Sequence, residues 1–205
     1  MTTKLIILAS GRGSNALAIH NSCIQNRLDA EIVAIFSDNP TANIINKAKE
    51  IGINSAVINP RNYSSKENYE KELVTEINKY DYDLVVLAGY MRILGKTFLD
   101  NIKTPIMNIH PSLLPSFPGL HAQKQAIDYG VKVSGCTVHF VDKGLDTGPI
   151  IAQASVPVYS DDDEDSLSER ILVEEHKLYT KAINYYNQKQ LAIVDRTVYI
   201  NKGNQ

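Results

Sequence analysis

Asn108 and His110 stand two residues apart at the end of the apolar run TPIMNIH (104–110), and Pro111 follows at once. On an extended strand alternate side chains share a face, so these two polar groups point the same way. An amide offers N–H donors to a developing oxyanion, and an imidazole gives or takes a proton near neutral pH. A carboxylate is available in GLDTGP (144–149), where Asp146 lies between Gly144 and Gly148. An aspartate there can fold back on its own turn, or it can orient and charge His110. Ser112 is near His110 but lacks a G-x-S-x-G elbow, so serine-based hydrolysis fits poorly. One amide, one imidazole, one carboxylate and no nucleophile suit direct attack of a substrate amine on a carbonyl, through a stabilised tetrahedral intermediate.

A second group of residues sits in SGRGSN (10–15), directly after the first apolar run. A helix that starts there would present free N–H groups and its positive dipole end, which suits a phosphate. Gly13 lets the backbone approach such a ligand, and Ser14 and Asn15 add side-chain hydrogen bonds. The same residues also fit the loose dinucleotide pattern G-x-G-x-x-[GA], with Gly11, Gly13 and Ala16, and Asp38 lies at the end of the next strand. The Gly-Lys-Ser/Thr ending of a Walker loop is missing. Phosphate is the better reading, although a tight strand-to-helix turn would need the glycines just as much.

These residues need a frame, and the order of elements supplies one. Apolar runs at 4–9, 31–37, 55–59, 83–89 and 104–110 alternate with helical segments at 15–26, 41–51 and 64–80. Ser65 is placed to cap the last of these helices, whose apolar face carries Tyr69, Leu73 and Ile77. Strands apolar on both faces imply a parallel sheet covered on both sides. The expected fold is therefore α/β, a Rossmann-like open twisted sheet, mostly parallel, with helices on both faces. Pro111, Pro115 and Pro118 exclude a helix over 108–121 and predict a stiff wall beside the polar pair. The stretch HAQKQAIDYG reads as a short helix closed by Gly130, with His121 at its start as cap. Beyond it, 133–142 and 149–158 predict an antiparallel extension, 160–187 a long helix with an acidic first turn, and LAIVD with TVYIN a closing hairpin.

The 205 residues, 43% hydrophobic and 21% charged with a formal net charge of -2, predict a single cytoplasmic domain over 1–205. Its phosphate-binding half is expected over about 1–104 and its catalytic half over about 105–205. No clustered basic face predicts nucleic-acid binding. No segment reaches the roughly 20 apolar residues of a membrane span, and the short run in MTTKLIILASGRG does not read as a signal peptide. Cys23 and Cys136 are far apart, with no ligand at metal spacing, so no disulfide scaffold and no metal site is expected.

The stretch Asn108-Ile109-His110-Pro111-Ser112-Leu113-Leu114-Pro115 resembles the signature of the folate-dependent formyltransferases, and Leu145-Asp146-Thr147-Gly148-Pro149 is similar to the same superfamily. Gly13-Ser14-Asn15 and Phe117-Pro118-Gly119-Leu120-His121 resemble the branch that acts on glycinamide ribonucleotide. Chain length favours that branch too, since the tRNA-formylating and deformylating branches carry extra domains. The resemblance covers roughly residues 1–190. It implies a monomer or weak homodimer that takes 10-formyltetrahydrofolate as co-substrate and formylates the ribonucleotide amine. Asn108, His110 and Asp146 then match the catalytic trio. Gly13, Ser14, Asn15, Gly89 and Glu175 match ribonucleotide contacts. Met91, Arg92, Ile93, Leu94 and Asn108 match the folate pocket, and Lys66 stands where some relatives have an arginine at the folate tail. Leu172 stands where relatives can have a polar substrate contact. His121 and His139 belong to the family pattern without entering the trio, and His139 reads as structural. The competing readings are a formyltetrahydrofolate hydrolase, a formyltransferase for another amine, and a dinucleotide-binding module.

Overall fold

A computed structural model describes residues 2–201. The chain divides into two compact units, Met1–Met107 and Asn108–Gln205.

In the first unit the strands are β1 (Thr3–Leu8), β2 (Ala30–Ser37), β3 (Ser55–Val57) and β4 (Leu84–Leu87). Their order is β3-β2-β1-β4, and the pairings of β1 with β2, β1 with β4 and β2 with β3 are all parallel. Leu5, Ile6, Ile7, Leu8, Leu84, Val85 and Val86 are fully buried, as a sheet covered on both faces requires. Each such side chain contributes roughly 1.5–3 kcal/mol of burial free energy. The helices are α1 (Ser14–Ile24), α2 (Asn43–Glu50), α3 (Lys66–Ile77) and α4 (Lys96–Asn101). Ser65 caps α3 as expected, its side chain accepting from Asn68 N–H at 3.1 Å. The third strand stops at Val57, because the Asn59 side chain accepts from Arg61 N–H and starts a 3-10 turn at Pro60. α4 has no counterpart among the helical segments expected from the sequence. It is too short to show a helical period, and its cap comes from a distant residue. Because β2 and β4 flank β1, the order in which strands are added to the sheet reverses at β1, and in open α/β sheets ligands bind at the carboxyl ends of strands around such a point.

The boundary between the units falls inside β5 (Ile106–His110). In the second unit the strand order runs β5, then β6 (Val133–Phe140), β7 (Ile150–Pro157), β9 (Thr197–Ile200) and β8 (Leu191–Val194). β6 and β7 are antiparallel, with Val133 opposite Pro157 and a register shift between Val138 and His139. β8 and β9 form the expected hairpin, and β9 meets β7 in parallel at Ile150 and Thr197. α5 (Ala122–Tyr129) ends on Gly130 at φ 81, a left-handed stop that favours glycine. α6 (Glu164–Asn187) packs on β6, β7 and α5, and its buried side chains include Leu167, Ile171, Leu178, Tyr179, Ala182 and Ile183.

The acidic run before α6 works as a cap. Asp163 accepts from Ser166 N–H at 2.8 Å, and its own N–H donates to Ser166 Oγ at 3.1 Å, a complete capping box. Asp162 takes two hydrogen bonds from Arg170, at 2.7 and 2.8 Å, and Arg170 also lies 4.4 Å over the Tyr159 ring. The Arg170 bonds hold the Asp162 carboxyl well below the usual carboxylate range.

Candidate active site

The second unit gathers four polar side chains. His110, at the end of β5, is 5% exposed. Its Nδ1 lies 3.4 Å from Asp146 Oδ2, and its Nε2 lies 2.8 Å from the carbonyl of Phe117. Both ring nitrogens thus face oxygen atoms, a hydrogen-bond acceptor on one side and a carboxylate on the other. Asp146 also accepts from the Gly119 N–H at 2.8 Å. The simple turn reading of Asp146 is therefore replaced by contacts with His110 and Gly119. Asp142 performs the turn function instead, accepting from Gly144 N–H at 3.0 Å and from Thr147 Oγ1 at 2.7 Å. Asp146 itself is left-handed at φ 54, which aspartate tolerates better than most residues. Gly148 is required on one side, since a Cβ would sit 1.7 Å from the Phe140 carbonyl oxygen.

His139 completes the cluster. Its Nδ1 is 2.8 Å from the Phe140 carbonyl, so that nitrogen carries the proton and donates. Its Nε2 lies 3.2 Å from Asn108 Nδ2 and accepts from the amide. Burial pushes the His139 imidazole below its ordinary range, against the opposing pull of Phe140 and Asp146. It is thus a neutral acceptor that turns the Asn108 amide nitrogen toward itself. Asp146 Oδ1 is 3.8 Å from the same His139 nitrogen. His139, which reads as structural from the sequence, thus touches the Asn108 amide directly. The available signal was parity: Thr137 and His139 share a face of β6, and Thr137 ties into the proline loop, donating to Ser112 O at 2.7 Å and accepting from Leu114 N–H at 3.0 Å.

The proline loop is tied by hydrogen bonds to itself and to β6 and β7. The Ser112 hydroxyl is fully buried and donates to Ser116 O at 2.5 Å, which leaves it a structural group. Gln153 Nε2 donates to Leu114 O at 2.9 Å, and Phe117 is left-handed at φ 53. The Leu114–Pro115 bond is cis. His121 occupies the N-cap position of α5 without capping it. A capping side chain needs an extended backbone, whereas His121 has φ 58 and its exposed ring turns to Glu164 at 3.4 Å.

Glu175 is 7% exposed on α6, near enough to Cys136 to help raise that thiol, which burial chiefly pushes up to about 12.

The first unit holds the remaining residues. Gly13 is the left-handed N-cap of α1 at φ 76, and a Cβ there would meet Ile44 Cδ1 at 2.4 Å. Ser14 opens the helix half-buried, and Asn15 is 7% exposed. The loops after β1 and β4 are joined: Ser10 N–H donates to Gly89 O at 3.0 Å, and Met91 N–H donates to Ser10 Oγ at 2.9 Å. Gly89 is left-handed at φ 74. Met91, Arg92 and Ile93 are exposed while Leu94 is buried. Asp38 Oδ1 is buried without a hydrogen-bond partner among the described residues. Lys66 opens α3, its Nζ 3.7 Å from Glu70 Oε1. Among the described residues no group of three His, Cys, Asp or Glu side chains could hold a metal ion, and no helix is long and apolar enough to cross a membrane.

With no free nucleophile among them, Asn108, His110 and Asp146 suit direct transfer of an acyl or one-carbon group between two substrates, in an α/β chain with its ligand loops at the carboxyl ends of the strands. The chain belongs to the formyl transferase family, which it matches over residues 3–183. It is 38% identical to the phosphoribosylglycinamide formyltransferase of Escherichia coli over 197 residues, which cover 96% of this chain and 93% of that one. It is 44% identical to the trifunctional purine biosynthetic protein adenosine-3 of Drosophila melanogaster over 182 residues, 88% of this chain but 14% of that much longer protein. The solved structure of glycinamide ribonucleotide transformylase 1 from Symbiobacterium toebii superposes with a TM-score of 0.94 at 42% identity, covering 97% of this chain and 94% of that one.

Proposed function

We propose that the chain transfers the formyl group of 10-formyltetrahydrofolate to the amine of glycinamide ribonucleotide, a step of purine biosynthesis. The observation that carries this reading is the cluster of Asn108, His110, Asp146 and His139, with both histidines buried, in a chain that follows the E. coli formyltransferase over nearly its whole length. The ribonucleotide amine attacks the formyl carbon and forms a C–N bond. Charge collects on the formyl oxygen, where the second Nδ2 hydrogen of Asn108 and the His110 cation stabilise it. Asp146 keeps His110 charged and helps move the proton from the attacking amine to the departing folate nitrogen. The C–N bond to that nitrogen then breaks, giving the formylated ribonucleotide and tetrahydrofolate.

Gly13, Ser14 and Asn15 take the phosphate at the start of α1, with Gly89 and Glu175 as further ribonucleotide contacts. Met91, Arg92, Ile93 and Leu94 take the pterin, and the Lys66 ammonium attracts the folate tail. The test is a formyl-transfer assay with and without ribonucleotide. Tetrahydrofolate release that requires the ribonucleotide supports the reading. Formate release without an acceptor would make the chain a hydrolase, and turnover with a different amine would change the acceptor.

A further inference from the structure

The segment 90–95, between β4 and α4, carries the residues assigned above to the pterin, and it is fixed from outside itself. Glu70 of α3 is 3% exposed. Its Oε1 accepts from Gly95 N–H at 2.6 Å and its Oε2 from Phe98 N–H at 3.2 Å. These are free donors of the first turn of α4, whose N-cap Gly95 has no side chain to satisfy them. Gly95 also makes room for the carboxylate, since a Cβ would lie 2.8 and 2.9 Å from the two oxygens. A Ser or Asp at position 95 would satisfy such donors locally and without burying a remote carboxylate, which is costly. The neighbouring Tyr69, 2% exposed, shares a short hydrogen bond with the Tyr90 hydroxyl, and its ring lies 5.4 Å beneath the Arg92 guanidinium. At the other end Met91 N–H is held by Ser10 Oγ. One turn of α3 therefore contacts Tyr90, Arg92, Gly95 and Phe98.

We propose that Glu70 is a positioning residue for the formyl donor: by holding Gly95 and Phe98 it sets the backbone of 91–94 that reads the pterin, and it shares its charge with Lys66 at the folate tail. This rests on the assignment of 91–94 and Lys66 to the folate. Charge-assisted hydrogen bonds to a buried carboxylate are among the stronger ones, so their weakening is felt in the segment they hold.

The test is Glu70→Gln, which keeps the shape and removes the charge, with Gly95→Ala as a second variant that crowds the carboxylate from the opposite side. Tetrahydrofolate binding is measured by calorimetry, steady-state KM for both substrates and kcat by the formyl-transfer assay, and folding by thermal melting. Both variants should bind tetrahydrofolate about tenfold more weakly and raise the KM for the formyl donor by a similar factor. The KM for glycinamide ribonucleotide and kcat should stay within about twofold. Unchanged tetrahydrofolate affinity in folded Glu70→Gln protein, or an equal rise in both KM values, overturns the proposal. So does an absence of tetrahydrofolate binding by the unsubstituted chain. If the unsubstituted chain binds tetrahydrofolate but formylates no ribonucleotide, the acceptor assignment fails, and weaker tetrahydrofolate binding by Glu70→Gln still upholds the role of Glu70.

Discussion

His139 Nε2 accepts from Asn108 Nδ2 across 3.2 Å, while its Nδ1 donates to the Phe140 carbonyl at 2.8 Å. The second bond fixes the tautomer, and the tautomer fixes which end of the Asn108 amide faces the ring. His139→Leu should therefore free the amide and lower kcat about ten- to hundredfold, with both KM values nearly unchanged. His139→Gln, which keeps an acceptor, should recover much of the loss. Equal kcat for the leucine variant and the unsubstituted chain would remove His139 from the site.

The same histidine makes stability depend on pH. Burial holds its folded value below the ordinary 6.5, so on acidification the unfolded chain takes up a proton first. Its contribution is present above 6.5 and is lost as the pH falls from there toward the folded value. His176, also pushed down by burial, acts in the same direction. Thermal midpoints measured from pH 7.5 to 5 should fall, and His139→Gln should flatten part of that slope. A slope unchanged by the substitution would sink the assignment.

Asp146→Asn tests the partner of His110. Asparagine tolerates the left-handed backbone at φ 54, and its side-chain carbonyl can still accept from Gly119 N–H, so the fold should persist. What disappears is the negative charge beside the His110 ring. A loss of about 100- to 1000-fold in kcat is expected, typical of a misplaced acid–base group, with a melting midpoint close to the parent. Turnover within threefold of the parent would show that His110 acts without this carboxylate.

Ser112→Ala separates direct transfer from covalent catalysis. The buried hydroxyl donates to Ser116 O at 2.5 Å and lies 3.3 Å from Phe117 O. Its removal should cost about 1 kcal/mol of stability, the usual worth of such a bond, while turnover stays within about threefold. Loss of all turnover in folded protein would point to a serine nucleophile and against amine attack.

Much of this molecule can be read from local pattern. The parallel strands follow from doubly apolar runs, the hairpin of 191–200 from two short β-rich segments, and the pairing of Asn108 with His110 from strand parity. The carboxylate was traceable because two glycines mark its turn. What local pattern does not carry is contact over long sequence separation. α4 has six residues and a cap supplied by Glu70, 25 residues before Gly95, so no local signal announces it. His139 looks like an ordinary polar residue in a strand until β6 is set beside β5. His121 stands at a helix start, where a cap is expected, and only its left-handed backbone turns the ring away.

Gly13→Ala probes the turn that leads into α1. Two penalties coincide there: φ 76 disfavours any side chain, and the new Cβ would meet three atoms of the Ile44 side chain at 2.4 to 2.6 Å. Ile44 is itself fully buried and its N–H reaches the Gly11 carbonyl at 3.2 Å, so it cannot simply swing away. The strained backbone and the overpacking should together cost about 2–4 kcal/mol. The first turn of α1 should shift with the loop, so phosphate contacts weaken along with stability. Calorimetric titration with glycinamide ribonucleotide, on protein kept folded at low temperature, should show affinity reduced at least tenfold, while tetrahydrofolate affinity holds. Unaltered ribonucleotide affinity in a destabilised variant would leave Gly13 a packing glycine and take the phosphate away from this loop.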